Sequence, residues 1–268
     1  MGPLLPLVTD LPLLAASVVD VVSGAFFAFV GVLVSRKTVS REARLAARTF
    51  TVWWYALAGL TIVAGFANSG GLLGVFTALA GEAAITPTIV LGSVFAWLLL
   101  SCIALWGLLH YLIYLFRGKS LAVPLGVAYA VLFVVFALVA IQQSPQGVVA
   151  SRFGVRVAYE RPVTGFALVM LLLFLVLPQI GGTLAYASIY RRLEDPLMRY
   201  RVALVSTSLL AWLGLSLLAA VLRIETTDAW LVFARLLALA SATAIMIAYA
   251  PPSFIRRRLG APPSGDLA

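Results

Sequence analysis

The sequence predicts an all-α membrane protein, a bundle of seven transmembrane helices with its N-terminus outside and its C-terminus in the cytoplasm. Three observations predict it. Hydrophobic residues make up 63% of the 268-residue chain and charged residues only 11%, against about 45–50% and about 25% in a water-soluble domain. Seven apolar runs are long enough to cross about 30 Å of hydrocarbon at about 1.5 Å per residue. The basic residues fall almost entirely between alternate runs. A soluble domain of this size could not hide so much apolar side chain, and helices are the choice because a lone strand leaves backbone groups unpaired in lipid.

The expected spans are 12–34, 49–68, 88–115, 121–142, 163–189, 202–222 and 229–250, followed by a basic tail over 251–268. The first run follows Asp10 and two prolines rather than a basic segment, so it is not read as a cleaved signal peptide. Between the first two runs lie Arg36, Lys37, Arg41, Arg44 and Arg48; Arg117 and Lys119 follow the third. Arg191, Arg192, Arg199 and Arg201 follow the fifth, and Arg256, Arg257 and Arg258 close the chain. The opposite side holds Arg152, Arg156, Arg161 and Arg223. The positive-inside rule assigns the richer side to the cytoplasm. The formal charge of +9 is thereby accounted for without nucleic acid. The expected partners are the lipid bilayer of the cell membrane and a signalling or membrane-complex protein.

Two connections on the outer side are long. Residues 69–87, rich in glycine and apolar pairs, suit a short interfacial helix or a shallow re-entrant turn. Residues 143–162 carry a period-2 pattern over Val155–Tyr159 that suits a small hairpin. Trp53, Trp54, Tyr55, Tyr111, Tyr114, Trp230 and Tyr249 lie near expected membrane edges, where aromatic rings anchor. Trp97, Trp106 and Trp212 lie deeper and suit the lining of a pocket.

Asp20 and Arg235 stand out, because an ionisable group in hydrocarbon costs several kcal/mol unless paired or wet. Asp20 lies about 12 Å and Arg235 about 9 Å from the outer end of its span. In a closed ring of seven helices the first and last are neighbours, so the two are expected to pair. With Trp212, Gln179 and Trp97 they form the expected ligand-binding group in the outer half of the bundle. Gln179 enters because Pro178 and Gly181-Gly182 interrupt the fifth run, freeing carbonyls there. His110 is the expected proton-sensitive group. Arg36, Arg41, Arg191 and Arg199 are the expected contacts for a cytoplasmic partner.

Absences narrow the chemistry. With one histidine and one cysteine, bis-histidine haem within one chain is excluded, as are a disulfide and a four-cysteine metal site. The last run contains no lysine, which excludes a lysine-linked retinal there. No catalytic residues are assigned, and the cofactor stays open.

The last run leads into Ala248-Tyr249-Ala250-Pro251-Pro252-Ser253-Phe254-Ile255-Arg256-Arg257-Arg258. This stretch is similar to the end of seven-transmembrane sensor modules of prokaryotic signalling proteins, where a Pro-Pro and basic cluster leads out of the bundle. Such modules feed a kinase or cyclase domain, whereas this sequence stops after Leu267-Ala268, so the resemblance implies output through a partner. The first expectation for function is therefore a sensor or ligand-binding protein that recognises a small molecule or lipid. A small-solute transporter or permease component ranks second, and a structural subunit of a membrane complex third.

Overall fold

The computed structural model describes residues 11–36, 44–68, 85–141, 145–151, 154–159, 177–215 and 228–260. Eight α-helices and one β-hairpin lie among them. Helices α1 (Leu11–Ser35), α2 (Arg44–Asn68), α3 (Ile85–Arg117) and α4 (Lys119–Ile141) precede strands β1 (Pro145–Ser151) and β2 (Gly154–Tyr159). Helices α5 (Leu177–Arg192), α6 (Pro196–Leu209), α7 (Asp228–Tyr249) and α8 (Ser253–Arg258) follow, and α6 runs on into one π-helical turn, Leu210–Gly214.

Among the described residues only two helices are long and apolar enough to cross a membrane, Ala15–Ser35 and Asp228–Tyr249. This corrects the seven-transmembrane bundle and the multi-pass cell-membrane placement. It also removes the resemblance to prokaryotic sensor modules and the readings built upon seven crossings: sensor or ligand-binding protein, transporter or permease component, and complex subunit. The physical reason is run length and dilution. Helix α2 is 25 residues long, but Arg44, Arg48, three threonines and the Trp53-Trp54-Tyr55 block lower its hydropathy. Within α3 and α4 the apolar stretches among the described residues are Leu99–Tyr114 and Lys119–Val135, each under 18 residues. Helices α5 and α6 have 16 and 14 residues, and arginines occupy an end of each. The run at 163–176 and the loop at 69–84 lie outside the described residues.

Neighbouring helices pack in the order α2 on α1, α3 on α2, α7 on α1, α6 on α7 and α5 on α6, with α5 also touching α3. Six helices thus close a ring, and α4 leans on its outside against α3. The turn between α3 and α4 is one residue, Gly118, at φ 76°. Its left-handed backbone suits glycine, and its amide donates to the Tyr114 carbonyl at 3.0 Å. Pro178 is the second described residue of helix α5. Asp195 caps α6 by accepting from the Leu197 amide at 3.0 Å, ahead of Pro196.

The core is aromatic. Phe27, Trp53 and Trp54 are almost fully buried, and Phe50 lies among them. Trp54 meets Trp53 at 4.3 Å between ring centroids, and Phe50 stacks on Tyr111 at 4.4 Å. The edge-anchor reading of Trp53 and Trp54 is thereby corrected: at 2% and 0% exposure they fill the bundle rather than its rim. Close helix approach makes room for them. A side chain at Gly107 would place its Cβ 2.8 Å from the Thr49 carbonyl oxygen of α2. Strands β1 and β2 pair antiparallel, with Val148 opposite Val157 and Ser151 opposite Gly154, and lie against α2 and α3.

Candidate functional site

Helix α1 has a polar buried stripe in its first half. Ser17, Asp20 and Ser23 are buried at helical spacing, and the stripe continues as Phe27, Val30 and Val34. Val18 and Val22 on the other side are exposed. Helix α7 brings Arg235 to this stripe. Its Nε donates to Asp20 Oδ2 at 3.0 Å, each side chain 11% exposed, and its Nη1 reaches back to the Leu231 carbonyl at 3.4 Å. Gly65 of α2 leaves room for Asp20, since a Cβ there would lie 3.2 Å from the Asp20 Cβ. Two residues 215 positions apart thus hold the first and last apolar helices together, with opposite charges in hydrogen-bonding geometry.

Trp212 lies in the π-helical turn, Gln179 in the first turn of α5 and Trp97 in α3, and their side chains lie outside what is described. His110 is buried in α3, 5.4 Å from the Trp106 ring, with a buried Nδ1 that meets no partner. Its Cδ2 would lie 2.8 Å from a Cβ at Gly126 of α4, so the ring fills the α3–α4 contact. An apolar cleft of ≈160 Å³ opens beside it, lined by Cys102, Ile103, Trp106, Tyr129, Ala130 and Phe133. Trp106, one of the deep tryptophans suited to a pocket, lines that cleft, whereas Asp20 and Arg235 do not. Among the described residues no group of three or more potential ligands could hold a metal ion.

Of the basic residues expected to meet a partner, Arg36, Arg191 and Arg199 are exposed. The Arg199 guanidinium lies 5.0 Å from the Tyr190 ring centroid. Arg41 lies outside the described residues. Two basic residues without an individual role in the sequence reading are the partly buried ones. Arg201 donates from Nε to the Ala248 carbonyl at 3.1 Å, and Arg256 buries Nε and Nη1. No sequence signal separates them from the exposed arginines beside them, because the distinction comes from the α6–α7 contact. Ser17 and Ser23, three residues to either side of Asp20, share its buried face, and that spacing is the sequence signal that marks them.

No protein-family model matches the chain, and no curated protein matches it in sequence. The site's chemistry therefore rests on its own geometry: a buried, neutral ion pair that joins two apolar helices, and a basic rim at the end of the ring where α6 meets α7.

Proposed function

We propose that the protein works in a lipid bilayer, inserting α1 and α7 as a charge-neutralised pair and resting the arginine-rich helix ends on anionic headgroups. The observation that carries this reading is the large apolar side chains on the outward faces of three helices, two of which also turn polar groups inward. On α1, Ser17, Asp20 and Ser23 are inside while Val18, Val22 and Phe29 are outside. On α7, Ser241, three alanines and Ile245 are inside while Val232, Phe233 and Leu236 are outside. On α4, Ala122 and Tyr129 are inside while Val127 and Val131 are 60% and 58% exposed. Water would penalise such a surface at about 25 cal/mol per Å², whereas hydrocarbon accepts it. The ion pair suits the same setting, since neither charge could be left alone at that depth.

The basic residues support the headgroup contact. Arg36 ends α1, Arg191 and Arg192 end α5, and Arg199 lies in the first turns of α6. Each contributes about 1 kcal/mol near an anionic surface. The test is flotation of the full chain with phosphatidylglycerol–phosphatidylcholine vesicles, followed by alkaline carbonate washing. The chain is expected to float and to resist the wash. A chain that is released by carbonate and stays monodisperse without detergent overturns the reading.

A further inference from the structure

Helices α3 and α4 meet tightly near their turn and leave an opening further along. Gly126 lets α4 approach His110, whose Cδ2 would lie 2.8 Å from a Cβ at that glycine. Trp106 Nε1 donates to the Gly126 carbonyl at 3.0 Å, and the His110 ring lies 5.4 Å from the indole. The indole is thus fixed, with its one donor already used. One turn further along α4 the ≈160 Å³ cleft opens between Cys102, Ile103 and Trp106 of α3 and Tyr129, Ala130 and Phe133 of α4. Ala130 is exposed, so the cleft has a mouth on α4. Val127, Val131 and Val134, which surround Ala130 on the helix, are each more than half exposed.

The volume and the lining define the occupant. An apolar cavity of about 150 Å³ stays dry and takes benzene, so this cleft suits an apolar group of that size and offers water little to bond. Three aromatic rings and the Cys102 sulfur supply close, polarizable contacts. Length and charge define what carries that group. Arg117 and Lys119 are exposed at the α3–α4 turn. From Trp106 to Arg117 the helix rises about 16 Å, and one leaflet of hydrocarbon is about 15 Å, half of about 30 Å. Leu121, Val123 and Leu125 are exposed along α4 between the turn and the valines at the mouth. A phospholipid laid along this flank has its phosphate at the two cations and its chain end at the cleft. We propose that the α3–α4 cleft binds the acyl-chain end of a phospholipid whose headgroup phosphate meets Arg117 and Lys119. The site rests on the bilayer reading and deepens it, because insertion needs only an apolar surface whereas this site holds one lipid in a defined place.

The experiment titrates the full chain, in dodecyl maltoside micelles, with 11,12-dibrominated phosphatidylglycerol and reads quenching of tryptophan fluorescence. A saturable component is expected, and Trp106→Phe is expected to remove it. Ala130→Phe fills the mouth and is expected to weaken the apparent affinity at least roughly tenfold, since about two methylenes left unburied already amount to that. Val131→Phe, on an exposed side chain outside the lining, is expected to leave it unchanged. Arg117→Gln combined with Lys119→Gln is expected to weaken it roughly five- to thirtyfold, at about fivefold for each cation. Quenching that rises without saturation, or saturates equally in Ala130→Phe, overturns the site. Unchanged affinity in the double glutamine variant overturns the phospholipid as its occupant. Should a variant fail to fold, the unsubstituted chain decides through Cys102, its one cysteine. Phenylmercuric acetate is expected to label Cys102, read by intact mass, because the cleft admits a benzene-sized ring, and saturating phosphatidylglycerol is expected to slow the labelling at least roughly tenfold. No labelling, or labelling at an unchanged rate, overturns the proposal. Flotation is scored separately: a chain that floats without saturable quenching loses the lipid site alone, and one that saturates but does not float loses the bilayer reading alone.

Discussion

Asp20 shows how a single residue is both legible and misleading. A carboxylate within an apolar run announces a partner, and Arg235, at similar depth in the last apolar run, is the partner it finds at 3.0 Å. Removing one member leaves the other buried and uncompensated, which costs about 3–5 kcal/mol. Asp20→Asn and Arg235→Gln are therefore each expected to lower the thermal midpoint strongly in a melting experiment on the solubilised chain. The double replacement Asp20→Leu with Arg235→Leu is expected to recover most of the loss, because two apolar side chains need no counter-charge. The aromatic residues were less legible. Trp53 and Trp54 look like edge anchors in sequence because a tryptophan near a helix end has the same one-dimensional signature whether it faces headgroups or neighbouring helices. Only packing against Phe27 and Phe50 distinguishes the cases. Trp54→Ala is expected to cost about 3–5 kcal/mol, read from the same melting curves, which a rim anchor would not.

At the scale of elements, hydropathy locates the helices but not their reach. Leu99–Tyr114 and Lys119–Val135 read as parts of full crossings because each continues into further apolar sequence, yet among the described residues neither apolar stretch reaches 18 residues. The break at Pro178 was visible, and it falls at the start of the described part of α5. Close approach of helices is similarly hidden in composition, since every glycine looks alike in sequence. Gly107 and Gly92 both lie in α3, but a Cβ at Gly107 meets the Thr49 carbonyl while one at Gly92 meets nothing within 4 Å. Gly107→Ala is expected to destabilise by about 1–3 kcal/mol through overpacking. Gly92→Ala is expected to stabilise by up to about 1 kcal/mol through helix propensity. Comparison of the two unfolding midpoints checks both signs.

For the whole molecule, the ring α1–α2–α3–α5–α6–α7 encloses the aromatic core, and α4 stands outside it. The pairing of Asp20 with Arg235 was expected only by assuming a closed ring, because no local pattern says that α1 touches α7. The outward face of α4 makes a prediction at this scale. Val127→Asp and Val131→Asp place a charge where the side chains are already exposed, so in water they would be almost silent. In a bilayer each is expected to reduce the vesicle-bound fraction in the flotation assay, at a cost of about 1–3 kcal/mol depending on depth. An unchanged bound fraction would place α4 away from lipid.

The ion pair also sets a timetable. Asp20 is made 215 residues before its partner, which at roughly 5–20 residues per second is an interval of about 10–45 s. Throughout that interval α1 carries an unmatched carboxylate, so a ribosome-bound chain must shelter it in water, protonate it or hand it to an insertion factor. A nascent chain stalled before Arg235 is expected to be extracted and degraded faster than one stalled just beyond it, which pulse-chase of the two lengths would read directly.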